Sequence, residues 1–186
     1  FEFEIVPMSF SSLVGSLQAN SVDMVISGMT ATEERKQIVD FSDVYCTSSV
    51  GCVAKADSDI NSFEDLQNQI VCCSQGTNYE MMIEDIPGTT LKTYQGQAAV
   101  GTAVAEATDG VAAGLTSING AKKLATTMLD ADGNPMLKYF ALEGARADEY
   151  CMAFPKGSEL TAIFNKGIQA LKDSGKLEEL IQYWLY

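Results

Sequence analysis

The sequence predicts an α/β fold in which short apolar strands alternate with helices. The run Val22–Ile26 is apolar except for Asp23, which is typical of a strand buried in a parallel sheet. Thr90–Tyr94 is a second short strand pattern, and the stretch Gln97–Thr108 after it is rich in alanine and valine and predicts a helix. A chain of 186 residues is long enough to bury a substantial core, in one large domain or two small ones.

The charge and the lack of histidine narrow the classes of function. The formal net charge of −13 at pH 7 argues against binding to nucleic acid or to an anionic membrane surface. Histidine is absent, so the commonest zinc ligand and the commonest general base are missing. We therefore predict no metal site, no cofactor and no catalytic centre. No apolar run has the length of a transmembrane helix. No signal peptide precedes Phe1, so we expect a processed or trimmed chain.

The five cysteines have neither the spacing of a metal site nor an even number. Each of them lies in an apolar, strand-like segment, which favours small buried hydrophobic side chains. They are Cys46, Cys52, Cys72, Cys73 and Cys151.

The front of the chain predicts a strand and a short helix. Phe1–Val6 alternates apolar and acidic residues, as expected of a strand with one wet face. Phe10 follows in a loop, and Ser11 or Ser12 is expected to cap a helix with one apolar face.

A polar loop after the Val22–Ile26 run is the first candidate site. Ser27–Thr30 follows at the predicted carboxyl end of that strand, where open α/β sheets hold their ligands. Thr32 is a predicted helix N-cap, and Arg35 lies one turn into the helix. A hydroxyl, free backbone groups and a guanidinium suit a small anionic or zwitterionic solute.

The middle of the chain contains two patterns typical of capping boxes. Ser62 and Asp65 are predicted to begin a short helix, and Thr77 and Glu80 a second one. The strand Gln69–Cys73 precedes the second helix, whose unpaired N–H groups would offer a seat for a carboxylate.

The remaining pattern continues the alternation of strands and helices. The further predicted segments are an apolar run at Ser48–Ala54, strands at Gly110–Leu115, Met136–Leu142 and Tyr150–Phe154, and helices at Ser117–Met128, from Ser158 to Gly175, and at Lys176–Tyr186. The turn from Asp130 to Asn134 lacks the glutamate that closes a calcium loop of EF-hand length. The last helix is expected to anchor in the core through Leu177, Leu180, Ile181 and Trp184.

Several segments resemble one protein family in the same order along the chain. The stretch SGMTATEERKQIVDFSDVY, from Ser27 to Tyr45, is similar to the lobe-one signature of type II periplasmic solute-binding proteins, in the polar amino-acid branch that serves ABC importers. The other matching segments are Val71–Asn78 (VCCSQGTN), Asp109–Thr116 (DGVAAGLT), Tyr150–Ser158 (YCMAFPKGS) and the ending GKLEELIQYW.

This resemblance implies a two-lobe, type II periplasmic-binding-protein-like fold with mixed sheets flanked by helices. Lobe one would comprise residues 1–49 and 154–186, and lobe two residues 50–153, with hinge strands near 49–54 and 150–154. A bridge between Cys52 and Cys151 would then be an alternative to free thiols. Family members begin with a further strand and helix, so we expect lobe one to lack its first β-α unit, through trimming, partial order or completion by a neighbouring chain.

The resemblance also implies a set of ligand-binding residues. Arg35 would bind the ligand carboxylate together with the backbone N–H groups of Thr77 and Asn78. Phe10 would cover the aliphatic part of the ligand, and Gln75 would contact its side chain.

The predicted site has no obvious negatively charged partner for the ammonium group of the ligand. The expected acceptors are the carbonyl groups of Ser27 and Gly28 and the hydroxyl of Thr30. Amino-acid binders of this family carry an aspartate where this chain has Gly114. Either another acid such as Glu143 or Glu149 reaches the ligand, or the ligand is not an ordinary α-amino acid, because a buried ammonium without a counter-ion is unfavourable.

The function implied is that of an extracytoplasmic receptor, not an enzyme. It would deliver an amino acid or a related small organic anion or zwitterion to an ABC transporter permease, from the periplasm or from the outer face of the membrane as a lipoprotein. The alternatives are an enzyme on the same scaffold, similar to prephenate and arogenate dehydratases, and the ligand-binding domain of a sensor or channel.

Overall fold

A computed structural model describes residues 2–185. The helices are α1 (Leu13–Gln18), α2 (Glu33–Ile38), α3 (Tyr79–Glu84), α4 (Gln97–Ala105), α5 (Ile118–Thr127), α6 (Leu160–Asp173) and α7 (Lys176–Leu185). The strands are β1 (Val39–Phe41), β2 (Cys46–Ser48), β3 (Val50–Lys55), β4 (Ile70–Ser74), β5 (Thr90–Tyr94), β6 (Val111–Ser117), β7 (Leu137–Ala141), β8 (Asp148–Tyr150) and β9 (Ala153–Pro155). Short 3-10 turns lie at Phe10–Ser12, Glu64–Leu66 and Thr108–Gly110.

Lobe two is built on a five-stranded mixed sheet with the strand order β5-β4-β6-β3-β7. Strand β4 runs parallel to β5 and β6, whereas β3 runs antiparallel to β6 and β7. One face buries a cluster that includes Leu66, Ile83 and Leu115, and the other packs against α4 and α5 through residues such as Val104 and Leu124. The prediction of a mixed sheet flanked by helices is confirmed.

Lobe one has a smaller core and little strand pairing. Its main ladder joins β1 to β9, and its buried cluster comprises Leu17, Val25, Met29, Val39 and Ala153. The predicted parallel strand at Val22–Ile26 is wrong: Val25 forms one isolated antiparallel bridge with Ala153. A parallel strand needs a neighbour of the same direction, and residues 2–185 place none beside this run.

The front segment does not form the predicted strand. Residues 2–9 have no regular secondary structure, and Ile5 is 89% exposed. Phe1 lies outside the described residues. Alternation of apolar and acidic residues does not by itself make this segment a strand, because the backbone N–H and C=O groups of a strand need a neighbouring strand to bond with.

A two-stranded antiparallel ladder lies between the five-stranded sheet and the β1/β9 ladder. It pairs β2 with β8, and its register places Cys46 opposite Tyr150 and Ser48 opposite Asp148. Strand β3 begins two residues after β2 and already belongs to the five-stranded sheet.

The C-terminal helices bury less than their amphipathic pattern predicted. Helix α7 packs mainly against α6, and Trp184 is 73% exposed. Leu180 is exposed as well, whereas Leu177 and Ile181 are half-buried. Leu180 and Trp184 are therefore wrong as core anchors, because their side of α7 has no large apolar surface to pack against among the described elements.

Several local predictions are confirmed and one capping box is not. The Thr32 side chain accepts a hydrogen bond from the Arg35 backbone N–H, and Ser62 and Asp65 form the predicted reciprocal pair. The Thr77 hydroxyl instead donates to the Ser74 carbonyl. The predicted second capping box is wrong, because the Thr77 hydroxyl bonds to the preceding turn and not to the backbone of α3.

All five cysteines are buried, free thiols, so the Cys52–Cys151 bridge is not formed. Burial raises the pKa of the Cys52 thiol to about 12. Within residues 2–185 no group of three acidic or cysteine side chains is arranged to hold a metal ion. The acidic turn closes on itself instead, since Asp130 accepts hydrogen bonds from the Asp132 and Asn134 backbone N–H groups. None of the helices described is both long and apolar enough to cross a membrane.

Candidate functional site

The guanidinium of Arg35 joins the two lobes at the candidate site. Its Nη1 donates to the Thr30 carbonyl at 2.8 Å and its Nη2 donates to the Gly76 carbonyl at 2.7 Å. The guanidinium carbon also lies 5.5 Å from the centre of the Phe10 ring, within the range of a cation–π interaction. The sequence-predicted residues Phe10, Thr30 and Arg35 therefore come together with the loop after β4.

The guanidinium of Arg35 is partly shielded from water, which strengthens its electrostatic interactions. Desolvation lowers the pKa of Arg35 from its ordinary value, while the nearby carboxylates of Glu34 and Glu80 act in the opposite direction. A guanidinium stays charged under such a shift. A partly buried guanidinium binds a carboxylate more strongly than an exposed one does, since solvent screens it less.

The loop after β4 approaches lobe one closely. Gly76 has a φ of +80°, and a Cβ added there would lie 3.1 Å from the Ser11 Cα. Any side chain at this position would therefore be strained and crowded. The Gly76 N–H donates to the Glu80 carboxylate, so an internal acid occupies one of the amides at the start of α3.

Three other predicted residues of this loop already have protein partners. Gln75 Oε1 accepts a hydrogen bond from Gln95 Nε2. The Thr77 N–H donates to the Ser74 carbonyl at 3.4 Å. Asn78 Nδ2 donates to Asp148 Oδ1 at 2.9 Å, which ties the start of α3 to strand β8.

The loop from Ser27 to Thr30 lies against strand β8. The Ser27 carbonyl accepts a hydrogen bond from the Tyr45 hydroxyl at 3.2 Å, and a Cβ on Gly28 would lie 3.3 Å from the Tyr150 ring. Burial, as the largest cause, raises the pKa of Tyr45 to about 12, so it remains a donor. The Thr30 Oγ1 atom is buried and has no hydrogen-bond partner within the described part of the chain. This hydroxyl could therefore bond to a ligand only if the groups that cover it moved.

The structure places Gly114 away from the end of its strand. Strand β6 continues to Ser117, which caps α5. A Cβ on Gly114 would lie 2.8 Å from Val100 Cγ1 and 3.2 Å from Val104 Cγ2. The predicted strand end at Leu115 is wrong, because Thr116 and Ser117 also pair with β3. Gly114 packs under α4, and its role in ligand binding stays a prediction.

A buried acid that the sequence did not single out lies next to these loops. Asp148 is 2% exposed, and Oδ2 accepts a hydrogen bond from the Tyr79 hydroxyl at 2.5 Å. Burial and the Asp148 charge raise the pKa of Tyr79 far above its usual range. The two acids considered from the sequence are both exposed, and Glu149 pairs with Arg146. The sequence pattern had no signal for Asp148, because the predicted strand begins at Tyr150 whereas β8 begins two residues earlier.

A cavity of about 920 Å³ lies between α2 and α3 and reaches the β2/β8 ladder. Thr30, Asn78 and Asp148 contribute to its lining, whereas Arg35 and Phe10 do not. Such a cavity between two lobes is large enough for a small organic ligand.

Comparisons with known proteins agree with this architecture. The family model for bacterial extracellular solute-binding proteins, family 3, matches residues 1–186. The arginine-binding extracellular protein ArtP of Bacillus subtilis (strain 168) is 35% identical over 192 residues, which cover 99% of this chain and 71% of that protein.

Solved structures give the same result. The arginine-, lysine-, histidine-binding protein ArtJ from Geobacillus stearothermophilus matches with a TM-score of 0.86 and 27% identity, over 98% of this chain and 78% of that chain. The ancestral amino acid-binding protein AncCDT-1, a precursor of cyclohexadienyl dehydratase, matches with a TM-score of 0.82 and 28% identity over the same shares. All three are binding proteins by name. The chain belongs to the bacterial extracellular solute-binding proteins of family 3.

Proposed function

We propose that this protein binds a free amino acid between its two lobes and delivers it to the permease of an ABC transporter. We take residues 1–49 and 154–186 as lobe one and residues 50–153 as lobe two. The work of the receptor takes place outside the cytoplasm, in the periplasm or at the outer face of the membrane as a lipoprotein.

The observation that carries the proposal is the position of Arg35. One guanidinium, partly buried, already donates hydrogen bonds to backbone carbonyls from both lobes. A ligand carboxylate that replaces the Gly76 carbonyl would accept the same N–H groups with a full negative charge, and charge-assisted bonds of this kind are the stronger ones. The ligand would then take over the contact that holds the lobes together.

The groups around Arg35 fit the rest of an amino acid. Phe10 offers an aromatic face beside the guanidinium. The unpartnered Thr30 hydroxyl offers a hydrogen bond to the ammonium group. The Ser27 carbonyl already accepts hydrogen bonds from the Tyr45 hydroxyl and the Met29 N–H, so the Gly28 carbonyl is the better further candidate for that role. The names of ArtP and ArtJ favour a cationic amino acid as the first ligand to test.

A thermal-shift screen tests this function. The purified protein is heated with each of the twenty amino acids and with simple carboxylates at about 1 mM. A ligand at 100 times its dissociation constant stabilises the folded state by about 2.7 kcal/mol, so a true ligand raises the melting temperature by several degrees. Isothermal calorimetry on the hit separates a receptor from an enzyme, because a receptor gives saturable heat with no product. No shift with any compound, or product formation, would contradict the proposal.

A further inference from the structure

The backbone of Gly76 is held from both lobes. Its carbonyl accepts a hydrogen bond from Arg35 Nη2 of lobe one at 2.7 Å, and its N–H donates to Glu80 Oε1 of lobe two at 2.5 Å. A Cβ at this position would lie 3.1 Å from the Ser11 Cα, so the two lobes are in direct contact at this loop. Both backbone groups of one residue therefore have a charged partner, a guanidinium on one side and a carboxylate on the other.

The conformation of Gly76 depends on these partners, because glycine imposes little preference of its own. Gly76 has a φ of +80°, and a residue without a Cβ adopts many other conformations at similar energy. Glu80 is half-buried in helix α3, so its carboxylate is anchored in lobe two beside the loop. The hydrogen bond from the Gly76 N–H to Glu80 therefore helps to select the conformation in which the Gly76 carbonyl meets Arg35.

The Gly76 carbonyl occupies a position that a ligand carboxylate needs. Arg35 Nη1 already donates to the Thr30 carbonyl, and a carboxylate that binds the guanidinium through Nη2 has to displace the Gly76 carbonyl from it. Desolvation lowers the pKa of Arg35, whereas the charges of Glu34 and Glu80 raise it, so both carboxylates lie close enough to act on the guanidinium. Of these two, Glu80 is the one that also bonds to Gly76.

We infer that Glu80 is a positioning residue that holds the Gly76 carbonyl against Arg35 as an internal competitor of the ligand carboxylate. This inference rests on the proposed function. The contact between Arg35 and Gly76 closes the lobes without a ligand, and an amino acid has to open it. If the contact is closed in about nine molecules of ten, about one in ten is competent to bind, and the apparent affinity is about tenfold weaker than that of the open site.

Calorimetry with L-arginine on three variants tests the inference. Glu80→Ala removes the acceptor of the Gly76 N–H. Glu80→Gln keeps an acceptor of the same length, but a neutral one, which bonds more weakly than a carboxylate. Glu34→Ala is the matched control for the loss of one negative charge, because Glu34 is exposed and also acts on Arg35.

Glu80→Ala should bind L-arginine about five- to tenfold more tightly than the wild type, because the released Gly76 carbonyl no longer competes for the guanidinium. The affinity of Glu80→Gln should lie between those two. Glu34→Ala should stay within about twofold of the wild type, since solvent and salt screen an exposed charge. A gain in affinity separates competition from a structural role of Glu80, because damage to helix α3 would weaken binding.

Unchanged or weaker binding by Glu80→Ala would overturn the inference while leaving the proposed function in place; if that variant does not fold, the same result with Glu80→Gln would do so. A gain for Glu34→Ala or Glu80→Gln as large as that for Glu80→Ala would assign the effect to charge and not to the held carbonyl, and would also overturn it. Failure of the wild type to bind any amino acid in the screen would overturn the proposed function, and the inference with it.

Discussion

Lobe two buries far more apolar side chains in its core than lobe one does. The five-stranded sheet of lobe two is covered on both faces by packed clusters. Lobe one has one small cluster, a two-stranded ladder and exposed apolar side chains such as Ile26 and Ile38. The comparison teaches that the stability of the described structure lies in lobe two, whereas the candidate site needs residues from both lobes.

The largest expected effect on the free energy of unfolding comes from replacing a buried leucine with alanine in the core of each lobe. Leu115→Ala in β6 should lower the free energy of unfolding by about 2–5 kcal/mol, because a fully buried leucine leaves a cavity. Leu17→Ala in α1 should mainly loosen lobe one, since fewer neighbours depend on it. Hydrogen exchange with mass spectrometry measures both. Similar losses of protection in lobe two for the two variants would break the contrast between the lobes.

A pair of glycine replacements sharpens the contrast at the level of packing. Gly114→Ala should destabilise the protein by about 1–3 kcal/mol, because the new methyl group would crowd Val100. Gly15→Ala in α1 should stabilise it by about 0.5–1 kcal/mol, since nothing lies within 4 Å of the added Cβ. Urea unfolding of the two variants decides the matter, and a neutral Gly114→Ala would show that α4 does not sit tightly on β6.

The smallest expected effect concerns an ion pair on the surface of lobe one. The hydrogen bond from Lys156, followed by that from the Gly157 N–H, lowers the pKa of Asp40. A carboxyl whose pKa is lowered on folding stabilises the fold above its unfolded pKa, near 3.9, and loses that contribution as the pH falls through the folded value.

Asp40→Asn should therefore cost about 0.2–1 kcal/mol at pH 7, and the difference from the wild type should vanish near pH 2. Urea unfolding at the two pH values measures it. A cost that is equally large at both values would assign the effect to packing and not to the charge.

The elements that the sequence predicted well are those specified by local chemistry. Strand Thr90–Tyr94 has the predicted bounds. The predicted cap Thr32 accepts the expected backbone hydrogen bond from Arg35. The residues that specify such an element lie within or next to it in the sequence, so its prediction needs no contact with a distant part of the chain.

The predictions that failed depend on partners far away in the chain. Val22–Ile26 has the composition of a buried strand but lacks a parallel neighbour among the described residues. The end of β6 at Ser117, two residues beyond the predicted end at Leu115, is decided by its pairing with β3. Asp148 becomes part of the candidate site only because Asn78 and Tyr79, some 70 residues earlier, fold onto it. Sequence order alone carries no signal for such contacts.

The central claim is that Arg35 binds the ligand carboxylate between the lobes. Calorimetry of L-arginine with Arg35→Ala tests it most directly, with Lys122→Ala as the control, because Lys122 is an exposed cation that does not line the cavity. We predict that Arg35→Ala weakens binding by about 2–5 kcal/mol, that Lys122→Ala binds like the wild type, and that both variants remain folded. Unchanged affinity in a folded Arg35→Ala protein would contradict the account.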